Sequence, residues 1–257
     1  MQHPRPSSRP LVLKSASLLL ITLLFGLVAS SAAAQDSPTL ADRWLRVQQS
    51  PYFGQVPLFA GDVASVTLLV GPEDKRSEER TWRFDERGWP LSTETAFNPG
   101  PNALEFTSTW SYGADGLLNR IEIGGRSTFV WFLSWGPSSL EVNADPAHWE
   151  YSYDPEADVL TALETTQQGE VQRVYEFQAD GSYEFVYYTR GEDGEWEAGA
   201  TGSVGADNIV LLTVAPAITN TLTIQERDDA GNPVVAERVT EGDHEAVTPL
   251  TWLIEYR

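Results

Sequence analysis

From Val63 to Tyr256 the chain changes character at every second residue, and short clusters of Gly, Asp and Asn break the pattern at regular intervals. Leu104, Phe106, Ser108, Trp110 and Tyr112 alternate with Glu105, Thr107, Thr109 and Ser111. Val171, Arg173, Tyr175 and Phe177 alternate with Gln172, Val174, Glu176 and Gln178, and Tyr183, Phe185 and Tyr187 with Glu184, Val186 and Tyr188. Leu250, Trp252, Ile254 and Tyr256 end the chain in the same way. Successive side chains of a strand point to opposite faces, so this period predicts strands with one face more buried than the other. The interruptions, such as Gly113-Ala114-Asp115-Gly116 and Asp228-Asp229-Ala230-Gly231-Asn232, are rich in residues that tolerate the positive φ of tight turns. Short connections require antiparallel neighbours. The expected fold is therefore all-β: an antiparallel β-meander of about 14 to 16 short strands forming a curled or open sheet. Phe129 to Trp135 is apolar on both faces and is expected to be a central, buried strand.

The chain opens differently. Arg5, Arg9 and Lys14 precede an apolar run from Leu18 to Ala29, and small residues follow through Ala34. This is the pattern of a secretory signal peptide, with Ala32 and Ala34 as the small residues flanking the cut. The apolar run is shorter than the roughly 20 residues of a spanning helix, and no later run approaches that length. No transmembrane helix is expected in the mature chain. Leu40, Trp44, Leu45 and Val47 predict one short amphipathic helix, capped by Ser37 or Thr39. The expected organisation is a signal peptide over 1–34, an N-terminal helix and connector over 35–61, and a β-sheet domain over 62–257.

The whole chain has 17 basic and 37 acidic residues, and the first 34 hold three basic and none acidic. The remainder carries 14 against 37, a net −23. Such a charge repels phosphate backbones and excludes nucleic acid as a partner. It suits an exported protein, periplasmic or extracellular. There is no Cys, so no disulfide framework exists and burial must hold the fold. Nine Trp and nine Tyr can supply that burial.

An aromatic-turn-hydrophobic unit recurs: Trp82 to Leu91, Trp110 to Leu117, Tyr151 to Leu160 and Tyr175 to Gly181. Its turns hold Gly88, Gly116 and Gly181, with Ala157 standing in for the glycine of the third unit. Phe84-Asp85 with Gly88, and Tyr112 with Gly116-Leu117, resemble the YD repeat of the Rhs and wall-associated protein families. The resemblance spans roughly residues 80–185. It implies an exported protein built of β-hairpins and associated with cell surfaces or toxin delivery.

Signatures of catalysis are missing. Past the signal, only His148 and His244 remain, both expected at the surface, and no G-x-S-x-G elbow or phosphate-binding glycine loop occurs. Glu176 and Glu184 would be the best glycosidase pair, but their place in the alternation puts them on the polar side. Asp154 and Asp158, and Asp228 and Asp229, cluster oxygens as a calcium site would. No other cofactor is implied. Trp149, Tyr151, Tyr153 and Tyr187 are candidates for an aromatic platform that stacks a ligand such as a sugar ring.

The function expected from these features is an exported, non-catalytic β-sheet protein with an interaction or structural role in the cell envelope, whose partner is an envelope component, a glycan or a protein. One alternative is an outer-membrane β-barrel. A second is an exported glycan- or lipid-binding carrier or hydrolase. The barrel alternative makes a sharp demand: one face of every strand should be free of charge.

Overall fold

The computed structural model describes residues 38–47, 56–167, 169–191, 193–242 and 245–257. The expected signal peptide and His244 lie outside the described residues. Past a short helix, α1 (Leu40–Val47), the described chain forms sixteen strands. They are β1 (Val63–Val70), β2 (Glu78–Phe84), β3 (Pro90–Phe97), β4 (Leu104–Tyr112), β5 (Leu118–Gly124), β6 (Phe129–Trp135), β7 (Ser139–Ala144) and β8 (Ala147–Asp154). The second half holds β9 (Val159–Thr166), β10 (Gly169–Phe177), β11 (Tyr183–Arg190), β12 (Trp196–Val204), β13 (Val210–Ala215), β14 (Ile218–Arg227), β15 (Pro233–Glu241) and β16 (Ala246–Tyr256).

Each strand pairs antiparallel with its neighbour in sequence, and β1 pairs with β16 from Val63↔Tyr256 to Val70↔Leu250. The sheet is thus a closed barrel, not the curled or open sheet that the alternation suggests. The physical reason is the edge. An open sixteen-strand sheet would leave two rows of unpaired N–H and C=O groups, and closure pairs them with each other. The two ends of the sheet are also tied together: the Arg257 amide donates to the Asp62 carbonyl (2.9 Å) and its guanidinium to the Asp62 carboxylate (2.6 Å).

In an antiparallel pair, residues directly opposite share a face. Following the registers around the barrel gives one continuous inner face. It includes Leu68, Arg80 and Trp82, then Trp110 and Ile121, then Leu133, Val142 and Trp149, then Leu160, Tyr175, Phe185 and Gly202, and finally Leu222, Ala236, Leu250 and Trp252. The buried core lies on this face: Val66, Leu118, Ile121 and Leu160 are fully buried, and Tyr175 and Tyr183 nearly so. In a barrel no strand is covered on both sides. β6 accordingly turns Phe132 outward, 56% exposed, which corrects the expectation of a doubly buried strand.

The recurring turns have one geometry. Over 85–89, 113–117, 178–182, 191–195, 205–209 and 228–232, the first amide donates to the fifth carbonyl and the fourth amide to the first carbonyl. The fourth residue is left-handed: Gly88, Gly116, Gly181, Gly194, Asn208 and Gly231 have φ between 64° and 86°. An Asp in each accepts the amide two residues on, as Asp85 Oδ1 does from Arg87 (2.8 Å) and Asp180 Oδ1 from Ser182 (2.9 Å). This local capture explains why Asp and Gly recur together. In the turn between β8 and β9 the left-handed residue is Asp158 (φ 53°), so Asp158 and not Ala157 stands in for the glycine.

These turn carboxylates give the fold an acid sensitivity. Burial pushes the Asp85 carboxyl up, but hydrogen bonds from the Trp89 amide, the Arg87 side chain and the Arg87 amide outweigh it and hold the group below its ordinary value. Hydrogen bonds from Ser182 lower Asp180, and those from Tyr256, Asn232 and Ala230 lower Asp228. A carboxyl lowered on folding stabilises fully above its unfolded value, about 3.9, and the contribution is lost as pH falls through the folded value. Urea midpoints should therefore hold steady above about pH 4 and fall below it. The triple variant Asp85→Asn, Asp180→Asn, Asp228→Asn should show a flatter fall. An unchanged slope would mean that these turns do not couple to folding.

Candidate functional site: a plugged lumen

A closed barrel has an interior, and the first question is what fills it. Helix α1 occupies one mouth, the one at which the chain enters and leaves the barrel. Thr39 caps it reciprocally with Asp42: the Asp42 amide donates to Thr39 Oγ1 (3.2 Å) and the Thr39 amide to Asp42 Oδ2 (2.8 Å). Six of its eight residues are buried, including Leu40, Trp44, Leu45 and Val47, as expected for a helix surrounded by protein. Trp44, 1% exposed, meets Trp135 and Tyr151 edge to face at 5.7 and 6.3 Å. Arg43 forks onto Asp158, with Nε donating to Oδ1 at 2.8 Å and a close Nη2 contact to Oδ2, and lies over the Phe177 ring at 4.2 Å. Arg46 donates to the Ala206 carbonyl (2.6 Å), and Tyr183 donates to the Arg46 carbonyl (3.1 Å). The connector continues the seal. Asn208 Nδ2 donates to the Val56 carbonyl, and Asn232 both accepts from the Ala60 amide (2.6 Å) and donates to its carbonyl (2.9 Å).

The candidate platform residues all lie on the lumenal face. Trp149, Tyr151 and Tyr153 follow one another along β8, and Tyr187 lies on β11. Each has a partner within the protein. Trp149 packs on Trp131 at 5.1 Å, Tyr151 meets Trp44, Tyr153 donates to Asp158 (2.9 Å), and Tyr187 packs on Phe185 with the Arg173 guanidinium over its ring. Arg173 in turn pairs with Glu164 across β9–β10. This arc of the lumen is filled.

The candidate calcium ligands are divided between two turns. Asp154 accepts the Glu156 amide (2.9 Å), and Asp158 is held by Arg43 and Tyr153. Asp228 accepts the Tyr256 hydroxyl (2.5 Å) and the amides of Ala230 and Asn232. Among the described residues no cluster of three or more His, Asp or Glu is placed to hold a metal ion. Glu176 and Glu184 sit directly opposite each other on the outer wall, exposed, away from the lumen. His148 is near them in kind, an outer-wall residue between Asn143 and Glu150.

Between β13–β16, β1 and β2, another arc of the lumen stays unfilled, as a cleft of about 330 Å³ that includes Arg80, Trp82, Leu222, Arg238 and Trp252. Sequence reasoning did not single out these arginines.

The outer wall carries charge at mid-strand. Arg83 faces Glu94 at 3.7 Å and Arg120 faces Glu122 at 2.6 Å, all four side chains about half exposed. Glu141 and Glu150 oppose each other on β7–β8. Large outward apolar side chains include Phe132, Leu212, Val214, Val247 and Leu253. Neither face of the sheet is free of charge, since Arg80, Glu164, Arg173 and Arg238 lie within.

No protein-family model matches the chain, and no curated protein matches it. Among solved structures, the chain is similar to a porin-like protein from Bacteroides uniformis, with a TM-score of 0.50 at 10% identity, over 78% of this chain and 100% of that one. At that identity the likeness speaks to the fold alone, and it agrees with the closed barrel and not with an open sheet.

Proposed function

We propose that the chain is an exported β-barrel protein of the outer-membrane type whose lumen is plugged by α1 and which does not conduct as an open pore. The observation that carries this reading is closure: sixteen antiparallel strands with β1 sealed to β16 and a buried helix in one mouth. The porin-like neighbour supports the barrel type. The signal-like first 34 residues support export.

The chemistry of the wall supports a second placement for the same barrel, standing in water against the membrane and not within it. A spanning barrel presents an apolar band about 25 Å tall with aromatic girdles, and a Lys or Arg at mid-bilayer costs about 2–4 kcal/mol. Here Arg83, Glu94, Arg120, Glu122, Glu141 and Glu150 face outward, while Trp82, Trp110, Trp149 and Trp252 face inward. The wall favours the water-facing placement, and the fold is common to both. Fractionation of the producing cell separates them. Release by osmotic shock, with no change of gel migration on boiling, establishes the water-facing barrel. Retention in the outer membrane with a heat-dependent shift establishes the spanning one. In either case planar-bilayer recordings should show no steady open-channel current, and a stable conductance would overturn the plugged barrel.

A further inference from the structure

The unfilled cleft is where the interior leaves its polar groups unmet. Among the described residues eight buried side-chain N or O atoms have no hydrogen-bond partner, and four of them belong to residues that line this one cleft: Arg80 Nε, Arg238 Nε, Trp82 Nε1 and Asn208 Oδ1. Three of the four are N–H donors. Buried donors in folded proteins are nearly always satisfied, so three unmet donors on residues around one cavity point to an acceptor beside them.

Charge points the same way. The barrel as a whole is strongly acidic, yet this cleft holds two guanidiniums and little to neutralise them. Arg80, 8% exposed, pairs with Glu78 at 2.6 Å. Arg238 Nε has no hydrogen-bond partner among the described residues. The two arginines come from strands β2 and β15, three strand spacings apart along the wall, about 14 Å at the backbone. That span lets two long side chains approach one group from opposite sides. The rest of the lining is apolar, with Trp82, Trp252 and Leu222 around it. The cleft volume is at the lower end of small-ligand sites.

From these observations we infer that the cleft binds an amphipathic anion: a carboxylate or phosphate head between Arg238 and Arg80, and an apolar body on Trp82, Trp252 and Leu222. The head accepts from the arginine and indole N–H groups, and the body replaces water on the rings. The site lies inside the barrel and is the same whether the barrel spans a membrane or stands in water. Glu78 competes with the ligand for Arg80, so it sets the affinity.

The test is titration of the purified chain, followed by tryptophan fluorescence and calorimetry, with octanoate, octyl phosphate and octanol as water-soluble probes. The anions should bind and octanol should bind at least tenfold more weakly, since a charge-assisted hydrogen bond is lost. Whichever anion binds tighter identifies the head, carboxylate or phosphate. Arg238→Gln should weaken the anion about tenfold or more and leave octanol unchanged. Because Arg238 Nε has no partner to lose among the described residues, that variant should fold normally. Glu78→Gln should tighten the anion by freeing Arg80, a result that a merely structural role for these residues would not produce. Equal binding of octanoate and octanol, or no binding of either anion, overturns the proposal, as does an Arg238→Gln variant that binds like the parent.

Discussion

Trp44→Ala will destabilise the folded barrel by about 3–5 kcal/mol, the range for removing a fully buried indole. Trp44 is the largest side chain that is almost wholly buried, and it belongs to the plug and not to the wall. Its ring sits edge to face against Trp135 on β6 and Tyr151 on β8, so its loss leaves a cavity at the barrel mouth bordered by aromatic surface. The wall cannot collapse into that cavity without breaking strand pairs, and the penalty should stand near the upper part of the range. The measurement is a guanidinium titration followed by far-UV circular dichroism, which reports the strands and not the helix alone. The β1–β16 seam does not involve α1, so the variant should keep a strand spectrum at zero denaturant while its midpoint drops. A loss below about 1 kcal/mol would mean that α1 is not seated in the barrel. Arg43→Met offers an independent check, because it leaves Asp158 with Tyr153 alone and should also weaken the plug.

The strands themselves were legible because alternation is a local signal. The run from Leu104 to Tyr112 is β4 residue for residue, and Tyr183, Phe185 and Tyr187 do share one face of β11. The Thr39 cap was legible for the same reason, since Thr and Asp three apart make the box within one turn. Closure was not. Alternation says that one face is more buried, and an open curled sheet and a barrel impose the same pattern on every strand but the first and last. The pairing of Ser65 with Glu255 links residues 190 positions apart, and nothing in either segment names the other.

Arg173 was placed by spacing on the face of Tyr175 and Phe177, and it does point inward, but its pairing with Glu164 beside Tyr187 is created only by the β9–β10 register. The apolar stretch Phe129 to Trp135 was read as buried on both sides, but a barrel offers only one buried side and Phe132 is left outside. Trp149, Tyr151 and Tyr153 share one face of β8 as their spacing of two requires, yet their partners come from α1, β6 and the β8–β9 turn and could not be assigned from β8 alone. The cleft arginines were invisible for a related reason. Glu79-Arg80-Thr81 and Glu237-Arg238-Val239 look like ordinary polar strand sequence, and what marks the two arginines is an unmet Nε beside one cleft, a property of the assembled lumen.

Closure of the wall can be tested at a single residue. Gly202 on β12 lies opposite Phe185 on the inner face, and the phenylalanine ring covers the space where a side chain would be. A Cβ there would come within 2.3 Å of Phe185 Cζ and 2.5 Å of the Leu212 carbonyl oxygen. The ring is flanked by the aromatics Tyr175 and Tyr187, at centroid distances of 6.5 and 5.0 Å, which limit its escape. The carbonyl belongs to the neighbouring strand, so relief on that side means parting β12 from β13. Overpacking a close-packed interior costs about 1–3 kcal/mol even where side chains can shift, and here backbone must shift as well. Gly202→Val should therefore cost at least about 3 kcal/mol in a denaturant titration, or leave the protein in the insoluble fraction. Gly199→Ala is the matched control on the same strand, because its nearest atom would be the Tyr187 carbonyl at an ordinary 3.7 Å. That variant should fold like the parent or gain up to about 1 kcal/mol from the restricted unfolded chain. If both substitutions were tolerated equally, the inner face at β12 would not be packed against β11 and β13, and the closed, filled wall on that arc would be wrong.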